Sequence, residues 1–320
     1  MIRALLSRLG QGAAVVALVV TACFALIRLA PGDPFAVSVE QENVPAEMRD
    51  RMRRLYGFDR PIAEQYVLFV RNLARGELGY SFSRGQPVAR VLVESVPPTL
   101  LLMGTALLLG GLGGVAVGAW QGWRGDTRAT RFVSRLSLVI LSVPEFVLAL
   151  LLVMGPALAW GLFPVTGMQG DFAPRGIAGA LDVLHHLALP ALTLAVVVGA
   201  VVARHQRRAI LAVVHADFVR AARAKGVPEY RILVHHALRN ALVPVLTLAG
   251  VLFPALISGA VLVEKVFAWP GMGRAVVDAV ARRDYPLVGG AVLVSSLFVV
   301  LGTLLADLAV SWADPRRRQS

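Results

Sequence analysis

Hydrophobic residues gather into about six long runs along the chain, and the segments between the runs are richer in charge, glycine and proline. A helix of about 20 apolar residues crosses the roughly 30 Å hydrocarbon core of a bilayer. The chain is therefore predicted to be an all-α polytopic membrane protein with about six transmembrane helices, which we place at residues 9–30, 98–120, 134–160, 185–203, 241–264 and 288–312. The first run is longer than the apolar part of a typical signal peptide, so we expect an uncleaved span.

The segment between the first two spans has helical patterns of its own. Proline is favoured in the first turn of a helix and glycine just after the last, which predicts short helices at 45–56 and 61–76. A third amphipathic piece, 88–96, leads to Pro97-Pro98. We therefore divide the chain into the N-terminus with the first span (1–30), an outer segment of short helices (31–97) and a five-span core (98–320) that contains the loop 204–240.

Composition and charge agree with a membrane location. Apolar residues make up 57% of the chain and charged residues only 16%, which makes a water-soluble enzyme improbable. The net charge of +12 would suggest nucleic acid in a soluble protein, but basic residues also collect in the cytoplasmic loops of membrane proteins. With the N-terminus inside, the cytoplasmic segments hold 17 basic residues and the short outer loops hold 5. Both termini are therefore predicted to be cytoplasmic, and we expect contacts with membrane lipid and none with nucleic acid.

Motifs for catalysis or metal binding do not occur in the sequence. Lys225 and Lys265 are the only lysines, and neither follows the glycine-rich pattern of a phosphate-binding loop. Cys23 is the only cysteine, and the histidine pairs 185–186 and 235–236 lack the further ligands of a convincing metal site. We therefore predict no catalytic residue, no metal site and no cofactor on this chain.

Two features of the spans suggest specific roles. Gly110, Gly114 and Gly118 are spaced by four residues, which predicts close approach of another helix. Glu145 follows Pro144 within the third span, where a carboxylate is costly and usually faces a bundle interior or an aqueous passage. Glu145 either lines a substrate route or is a structural carboxylate bonded to a neighbouring helix, and Ser142 and Ser258 are further candidates for the route.

The largest cytoplasmic loop, 204–240, contains eight basic residues and two acidic ones. Apolar residues from Ile210 to Ala222 fall at helical spacing and predict one amphipathic helix. Gly226 is placed to end this helix and Pro228 to begin the next. Such a helix with small side chains can dock into a groove of another protein, or it can lie on the inner leaflet.

The same loop carries a resemblance to a known family. Phe218-Val-Arg-Ala-Ala-Arg-Ala-Lys-Gly226, followed by His235-His-Ala-Leu-Arg-Asn-Ala-Leu-Val-Pro244, resembles the cytoplasmic signature of inner-membrane permeases of binding-protein-dependent ABC importers. Further motifs extend the resemblance along nearly the whole chain and narrow it to the dipeptide/oligopeptide/nickel branch, in which the chain is similar to the first, B-type permease of the pair. These motifs are Pro31-Gly-Asp-Pro34, Gly57-Phe-Asp-Arg-Pro61, Gly76-Glu-Leu-Gly-Tyr-Ser81, Ser142-Val-Pro-Glu-Phe146, Gly259-Ala-Val-Leu-Val-Glu-Lys-Val-Phe-Ala-Trp-Pro-Gly-Met-Gly273, Arg283-Asp-Tyr-Pro286 and Asp314-Pro-Arg-Arg-Arg318.

The sequence departs from the wider superfamily at two positions. The superfamily signature begins Glu-Ala-Ala, whereas this chain has Arg220-Ala221-Ala222. It also often has proline about thirteen residues after the glycine, where this chain has Arg239. Both variations occur in the peptide branch. An ATPase contact that depends on the superfamily glutamate therefore does not carry over directly to this chain.

The resemblance implies a type I ABC importer permease fold in a bacterial inner membrane. It implies a coupling helix that docks on cytoplasmic ATPases, formed by Phe218, Arg220, Ala221, Ala222, Arg223, Lys225 and Gly226, and an outer gate for which Phe267, Trp269, Pro270 and Met272 are candidates. The alternative for these aromatic residues is an interfacial anchor. The implied partners are a second homologous permease, two ABC ATPase subunits or domains that hold ATP and Mg²⁺, and an extracytoplasmic solute-binding protein.

Several interpretations of the cargo and mechanism stay open at this point. Peptides are the cargo most typical of the resembled branch, and nickel chelates, glutathione and opines are alternatives. An ATP-independent secondary transporter would need no ATPase, and usually shows more ionisable groups in its spans or inverted repeats. A membrane enzyme would need a cluster of catalytic groups, which the sequence does not contain.

Overall fold

A computed structural model describes residues 2–29, 60–170 and 176–313. The predicted helix 45–56 lies outside these residues. The described helices are α1 (Ile2–Leu29), α2 (Ile62–Ala74), α3 (Val88–Arg124), α4 (Arg128–Ser142), α5 (Glu145–Leu152), α6 (Ile177–Val213), α7 (Asp217–Ala224), α8 (Glu229–Arg231), α9 (Leu238–Val266), α10 (Met272–Ala281) and α11 (Tyr285–Ala313). Two π-helical segments, Val153–Ala159 and Ile232–Ala237, continue α5 and α8, and β1 (Tyr80–Ser81) pairs antiparallel with β2 (Gln86–Pro87).

The all-α polytopic architecture is confirmed. Five helical stretches of the described chain are long and apolar enough to cross a membrane: Arg8–Leu26, Val88–Arg124, Ile177–Val213, Glu229–Phe253 and Tyr285–Val310. The third predicted span, 134–160, was wrong as a single helix. It consists of α4 and α5 with its π-helical continuation, and the two parts are bent by 103°. Pro144 explains the break, because proline cannot continue a helix through its amide and restricts the residue before it to extended geometry, which Val143 adopts.

The helix α3 is longer than predicted. Residues 88–96 do not form a separate piece, because α3 runs through Pro97 and Pro98 without interruption to Arg124. Side chains on both sides of the prolines are buried, including Val91, Leu92, Leu102 and Met103. Packing of these side chains on both sides of the prolines outweighs the local proline preference, and proline within a helix is tolerated in membrane helices.

The described residues of 1–98 and of 274–300 form one compact unit. In it α2 begins after Pro61 and ends before Gly76, whose φ is +75°, as predicted. The rings of Tyr66 and Phe69 lie 5.3 and 5.4 Å from that of Phe24 on α1, and the Tyr66 hydroxyl is 2.7 Å from that of Thr21. This helix therefore packs on the end of the first span.

Residues 99–273 and 301–320 form the second unit. In it α3 packs closely against α6, where the predicted glycine row meets backbone: a Cβ on Gly114 would lie 2.7 Å from the carbonyl oxygen of Gly199, and Cβ atoms on Gly110 and Gly118 would also overlap carbonyl oxygens of α6. The predicted close helix approach is confirmed.

Thr127 caps α4, with its hydroxyl accepting from the Thr130 amide at 3.2 Å.

Candidate functional site

The signature in the loop 204–240 forms a helix, a glycine turn and a second helix, as predicted. α7 begins at Asp217 and ends at Ala224, and Gly226 follows with φ +72°, a conformation that favours glycine. Pro228 then precedes α8. The prediction of one continuous helix from Ile210 was wrong, because α6 ends at Val213 and a turn at 214–216 separates it from α7.

The two alanines of the signature differ in burial. Ala222 is buried, together with Val219 on α7 and Ile232 beyond α8, and Trp123 and Val227 pack against this cluster. Ala221 and Phe218 lie three residues apart on the other face and are exposed, as are Lys225 and Gly226. The exposed face of α7 is therefore formed by Phe218 and Ala221, and Ala222 belongs to the face that packs against the rest of the chain.

The arginines of the signature have two different roles. Arg223 donates to both carboxylate oxygens of Glu229, at 2.8 and 3.3 Å, and its guanidinium lies 5.2 Å from the centre of the Trp123 ring. A bidentate pair together with a cation–π contact fixes the geometry across the glycine turn. Arg220, at the position of the superfamily glutamate, pairs with Asp217 one turn earlier on the exposed face.

Trp123 and Glu229 were not among the candidates from the sequence. Glu229 could have been suspected as the only acidic residue close to Arg223 after the turn. Trp123 ends a span more than ninety residues earlier, and no local pattern connects it to α7. Together they attach α7 to the end of α3 and to the start of the helical stretch that leads into α9.

Two of the residues predicted to line the substrate route lie at the break between α4 and α5, and they are exposed to different degrees. Ser142 is the last residue of α4 and its hydroxyl donates to the carbonyl oxygen of Leu138 at 2.9 Å. Glu145 is the first residue of α5, is partly buried, and its carboxylate lies against Gly259 of α9, where any Cβ would overlap it. The side chain of Ser258 lies outside the described residues. The glycine thus provides the space that a carboxylate needs between two apolar helices.

The predicted gate residues lie in the loop between α9 and α10. Phe267 and Trp269 are 2% and 0% exposed and belong to the apolar cluster that includes Leu102 and Leu187. Met272 is also buried, whereas Pro270 is exposed. In this conformation the two aromatic side chains are therefore part of the protein interior.

A buried glutamate holds this loop in place. Glu264 is fully buried and its Oε1 accepts from the Thr99 hydroxyl at 2.6 Å, and that hydroxyl in turn accepts from the Met272 amide at 2.8 Å. Cβ atoms on Gly271 or Gly273 would overlap the carboxylate. Glu264 lies within the motif 259–273, but no local pattern predicts its role, because Thr99 is 165 residues away in the sequence.

Titratable and metal-ligating side chains are dispersed. In the described parts of the chain, no three His, Cys, Asp or Glu residues come together as a metal site would require. His185 and His186 instead contact the carbonyl oxygens of Leu162 and Asp182, each at 2.9 Å. Three features of the described residues bear on function: the close helix packing, the loop around α7 and the carboxylate of Glu145 at the helix break.

Comparison with known proteins agrees with these features. Residues 114–319 match the family described as the binding-protein-dependent transport system inner membrane component, and residues 1–103 match the N-terminal part described for the same kind of membrane component. The matched regions include the bent pair α4–α5, α7 and the loop before α10.

Curated relatives are similar over nearly the full length. The chain is 37% identical over 310 residues to the di/tripeptide transport system permease protein DppB of Pseudomonas aeruginosa, covering 92% of each chain. It is 35% identical over 294 residues to the oligopeptide transport system permease protein AppB of Bacillus subtilis, again covering 92% of each. It is 38% identical over 315 residues to the probable peptide ABC transporter permease protein y4tP of Sinorhizobium fredii, covering 98% of each. The chain therefore belongs to the family of inner membrane components of binding-protein-dependent transport systems, and it is a multi-pass transport subunit rather than an enzyme.

Proposed function

We propose that the chain is the B-type permease of an ATP-driven peptide importer. The observation that carries the proposal is α7, a short exposed helix closed by Gly226 and attached through buried contacts to two long helical stretches. The similar proteins are named as permeases for dipeptides, tripeptides or oligopeptides. Nickel chelates, glutathione and opines remain alternative cargoes for the same architecture.

Coupling to ATP hydrolysis would begin at the exposed face of α7. Phe218 and Ala221 offer an aromatic ring and a small residue to a groove on a cytoplasmic ATPase, with Arg220 and Lys225 beside them. Ala222, Val219 and the Arg223–Glu229–Trp123 contacts would pass a displacement of α7 to α3 and α9. A rigid-body switch between two packed states then needs no chemistry on this chain.

The substrate route would pass the break between α4 and α5. Glu145 follows the extended Val143–Pro144 link and begins α5 against Gly259, so a carboxylate lies at a bend within an apolar unit. A peptide with a free amino terminus carries the charge that such a carboxylate attracts. Ser142 and Ser258 would contribute hydroxyl groups to the same route.

The outer closure would depend on the loop that carries Phe267, Trp269, Pro270 and Met272. The two aromatic rings are buried and the loop is tied to α3 by Glu264 and Thr99. Opening would therefore require the loop to move together with α3 and α9. The alternative role of these rings, as an interfacial anchor, is disfavoured by their burial.

The complete transporter would contain other proteins besides this chain. We propose a second homologous permease, two ATPase subunits or domains that hold ATP and Mg²⁺, and an extracytoplasmic solute-binding protein. Both termini and α7 would face the cytoplasm, because 17 basic residues then lie inside and 5 in the short outer loops.

The test is to isolate the tagged chain from its native membrane and to reconstitute what accompanies it into liposomes. We expect a second permease and ATPases with phosphate-binding loops, and uptake of a labelled dipeptide that requires both ATP and the solute-binding protein. Isolation of the chain alone, with uptake driven by an ion gradient and indifferent to ATP, would contradict the proposal and favour a secondary transporter. ATP-dependent uptake of a nickel chelate, glutathione or an opine, with no peptide uptake, would retain the architecture and change the cargo.

A further inference from the structure

The exposed surface of α2 is divided into an apolar face and a charged face. Beyond Ile62 at its start, the exposed apolar residues recur at the spacing of one helix face, and we name them the α2 stripe: Ala63, Val67, Val70 and Ala74. Val67 is 63% exposed. Each exposed charged residue from the start of α2 to its C-cap directly follows a stripe residue along the chain: Glu64, Arg71 and Arg75. Apolar and charged side chains on adjacent exposed faces are typical of a helix that lies at the surface of a bilayer.

The remaining face of α2 packs on α1 at a level inside the apolar stretch of that helix. The hydroxyl groups of Tyr66 and Thr21 lie 2.7 Å apart, and the rings of Tyr66 and Phe69 lie 5.3 and 5.4 Å from that of Phe24. The part of α1 that is able to cross a membrane is Arg8–Leu26. At 1.5 Å per residue, Thr21 therefore lies about 8 Å before the end of this stretch.

The same face of α2 meets α11 close to the point where its apolar stretch begins. A Cβ on Gly289 would lie 3.5 Å from the Phe69 ring. Gly289 is four residues into the stretch Tyr285–Val310, which corresponds to about 6 Å. Interfacial helices bury their apolar face about 5–10 Å into the boundary between headgroups and acyl chains. Two helices of opposite direction therefore place α2 at the depth of an interfacial helix, on the side of the membrane where α1 ends and α11 begins.

The composition of the α2 stripe favours acyl chains over a protein partner. It consists of two valines and two alanines, whereas the residues that dominate binding between proteins are most often Trp, Tyr and Arg. Aliphatic side chains gain free energy on leaving water without any complementary partner surface. The same compact unit also exposes Leu18 and Leu26 on α1, each to 69%, within the stretch that is able to cross a membrane.

We propose that the α2 stripe is a lipid-binding surface, inserted among the acyl chains of the leaflet in which α1 ends and α11 begins. Glu64, Arg71 and Arg75 then face the headgroup layer and water. The proposal rests on the membrane-spanning helices alone and does not depend on the cargo, the ATPases or the solute-binding protein.

Lipid contact at α2 also sets the height of the β-hairpin. The strand β1 begins five residues after α2 ends. The hairpin is tied to the start of α11, because Oδ2 of the buried Asp284 accepts from the Ser81 hydroxyl at 2.5 Å and from the Ser83 amide at 2.9 Å. The bilayer therefore supports the hairpin from the α2 side, and α11 supports it from the other.

The test is to measure which medium surrounds each exposed face of α2. Single cysteines are introduced by Val67→Cys on the stripe and by Arg71→Cys on the charged face, with Cys23→Ser removing the only native cysteine. The purified transporter is labelled with the fluorophore NBD and held in nanodiscs. One quencher is phosphatidylcholine that carries a nitroxide near the top of its acyl chain, and the other is iodide in the water. We expect the label at position 67 to lose fluorescence with the nitroxide lipid and to resist iodide.

The matched control is the label at position 71, which should be quenched by iodide and much less by the nitroxide lipid. Val70→Cys repeats the measurement at a second stripe position if Val67→Cys lowers the melting temperature.

Four results would overturn the proposal. Quenching of the stripe label by iodide alone would mean that the stripe faces water. Resistance to both quenchers would mean that another protein covers it, and so would protection from iodide that appears only when a solute-binding protein is added. Equal quenching by the nitroxide lipid at positions 67 and 71 would mean that α2 has no separate lipid face. None of these results depends on transport, whereas absence of uptake dependent on ATP would overturn the proposed function and leave the lipid contact untouched.

Discussion

Single glycines decide where helices of this protein can approach each other. The faces of α3 differ sharply in this respect: Gly110, Gly114 and Gly118 meet the backbone of α6, whereas a Cβ on Gly113 would have no heavy atom within 4 Å. A methyl group on the first face has to displace backbone, and on the second face it meets open space or lipid. The same residue type therefore has opposite consequences one position apart.

We predict that Gly114→Ala destabilises the protein and that Gly113→Ala does not. Overpacking a close helix contact costs about 1–3 kcal/mol, whereas alanine in place of a helical glycine without steric conflict gains about 0.5–1 kcal/mol. Melting temperatures of the purified permease complex in detergent give the comparison. Equal melting temperatures for the two variants would show that α3 and α6 are not in close contact.

The prediction about the substrate concerns Glu145, which we propose attracts the amino terminus of a peptide. Glu145→Gln keeps the size of the side chain but removes the charge, and a hydrogen bond to a charged group contributes about 1.5–3 kcal/mol. We expect transport of a free-amino dipeptide, at saturating loaded solute-binding protein, to fall about ten-fold or more, because 1.4 kcal/mol corresponds to a factor of ten. Glu145→Asp should retain part of the activity, and Ser142→Ala, which changes an exposed hydroxyl bonded within its own helix, should retain nearly all of it.

The contact with Gly259 offers an independent check of the same idea. Gly259→Ala leaves the charge of Glu145 in place but forces the carboxylate to move. It should therefore reduce transport while Glu145 is intact. Wild-type transport by Glu145→Gln would mean that the carboxylate is structural and does not meet the substrate.

At the scale of elements, substitutions on the exposed and the buried face of α7 should abolish coupling in two different ways. Ala221→Trp adds bulk on the exposed face, so we expect the ATPase to bind weakly while the melting temperature of the permease stays unchanged. Ala222→Trp adds bulk among Val219, Ile232 and Trp123, so we expect α7 to lose its attachment and the permease to be destabilised by about 1–3 kcal/mol. Transport per ATP hydrolysed, ATPase co-purification and melting temperature together distinguish these outcomes.

Specific outcomes of these measurements would contradict the roles assigned to the two faces of α7. Normal transport by Ala221→Trp would rule out docking through this face. If both variants left the melting temperature unchanged, Ala222 would not be part of the attachment. Gly226→Pro tests the turn itself, because its φ of +72° is inaccessible to proline, and it should uncouple ATP hydrolysis from transport.

Elements that depend on local pattern could be predicted from the sequence. The apolar runs, the end of α2 at Gly76, the turn at Gly226 and the close face of α3 follow from periodicity and from residues with special backbone preferences. The 103° bend after Ser142 has a local signal in Pro144, but Pro97 and Pro98 carry a similar signal and do not break α3. Only the surrounding packing distinguishes the two cases.

Contacts that join distant segments could not be predicted. Ser81 and Asp284 are 203 residues apart, and Thr99 and Glu264 are 165 apart. In each case the carboxylate is buried and satisfied by hydroxyl or amide donors from another segment, which no periodicity in the sequence reveals. The assignment of Ala221 and Ala222 to opposite faces likewise depends on Trp123, which lies far away in the sequence.

At the scale of the whole molecule, orientation in the membrane determines which of these surfaces meets which partner. In the orientation that the distribution of arginines predicts, α2 and the β-hairpin lie outside and the link between α3 and α4 lies inside. Two exposed acidic residues suit a direct test: the side chain of Glu64 on α2 is 58% exposed and that of Asp126 in the link is 69% exposed. Cys23, the only native cysteine, is buried and is replaced by serine to leave no background.

We predict that a single cysteine introduced by Glu64→Cys reacts with a membrane-impermeant maleimide in intact spheroplasts. The Asp126→Cys protein should react only after the membrane is broken, since a charged reagent cannot cross the hydrocarbon core. The cysteine-free Cys23→Ser protein should react in neither condition and should retain transport. The reverse pattern would place α7 outside the cytoplasm, where no ATPase could reach it. One labelling experiment therefore tests the premise on which the coupling proposal rests.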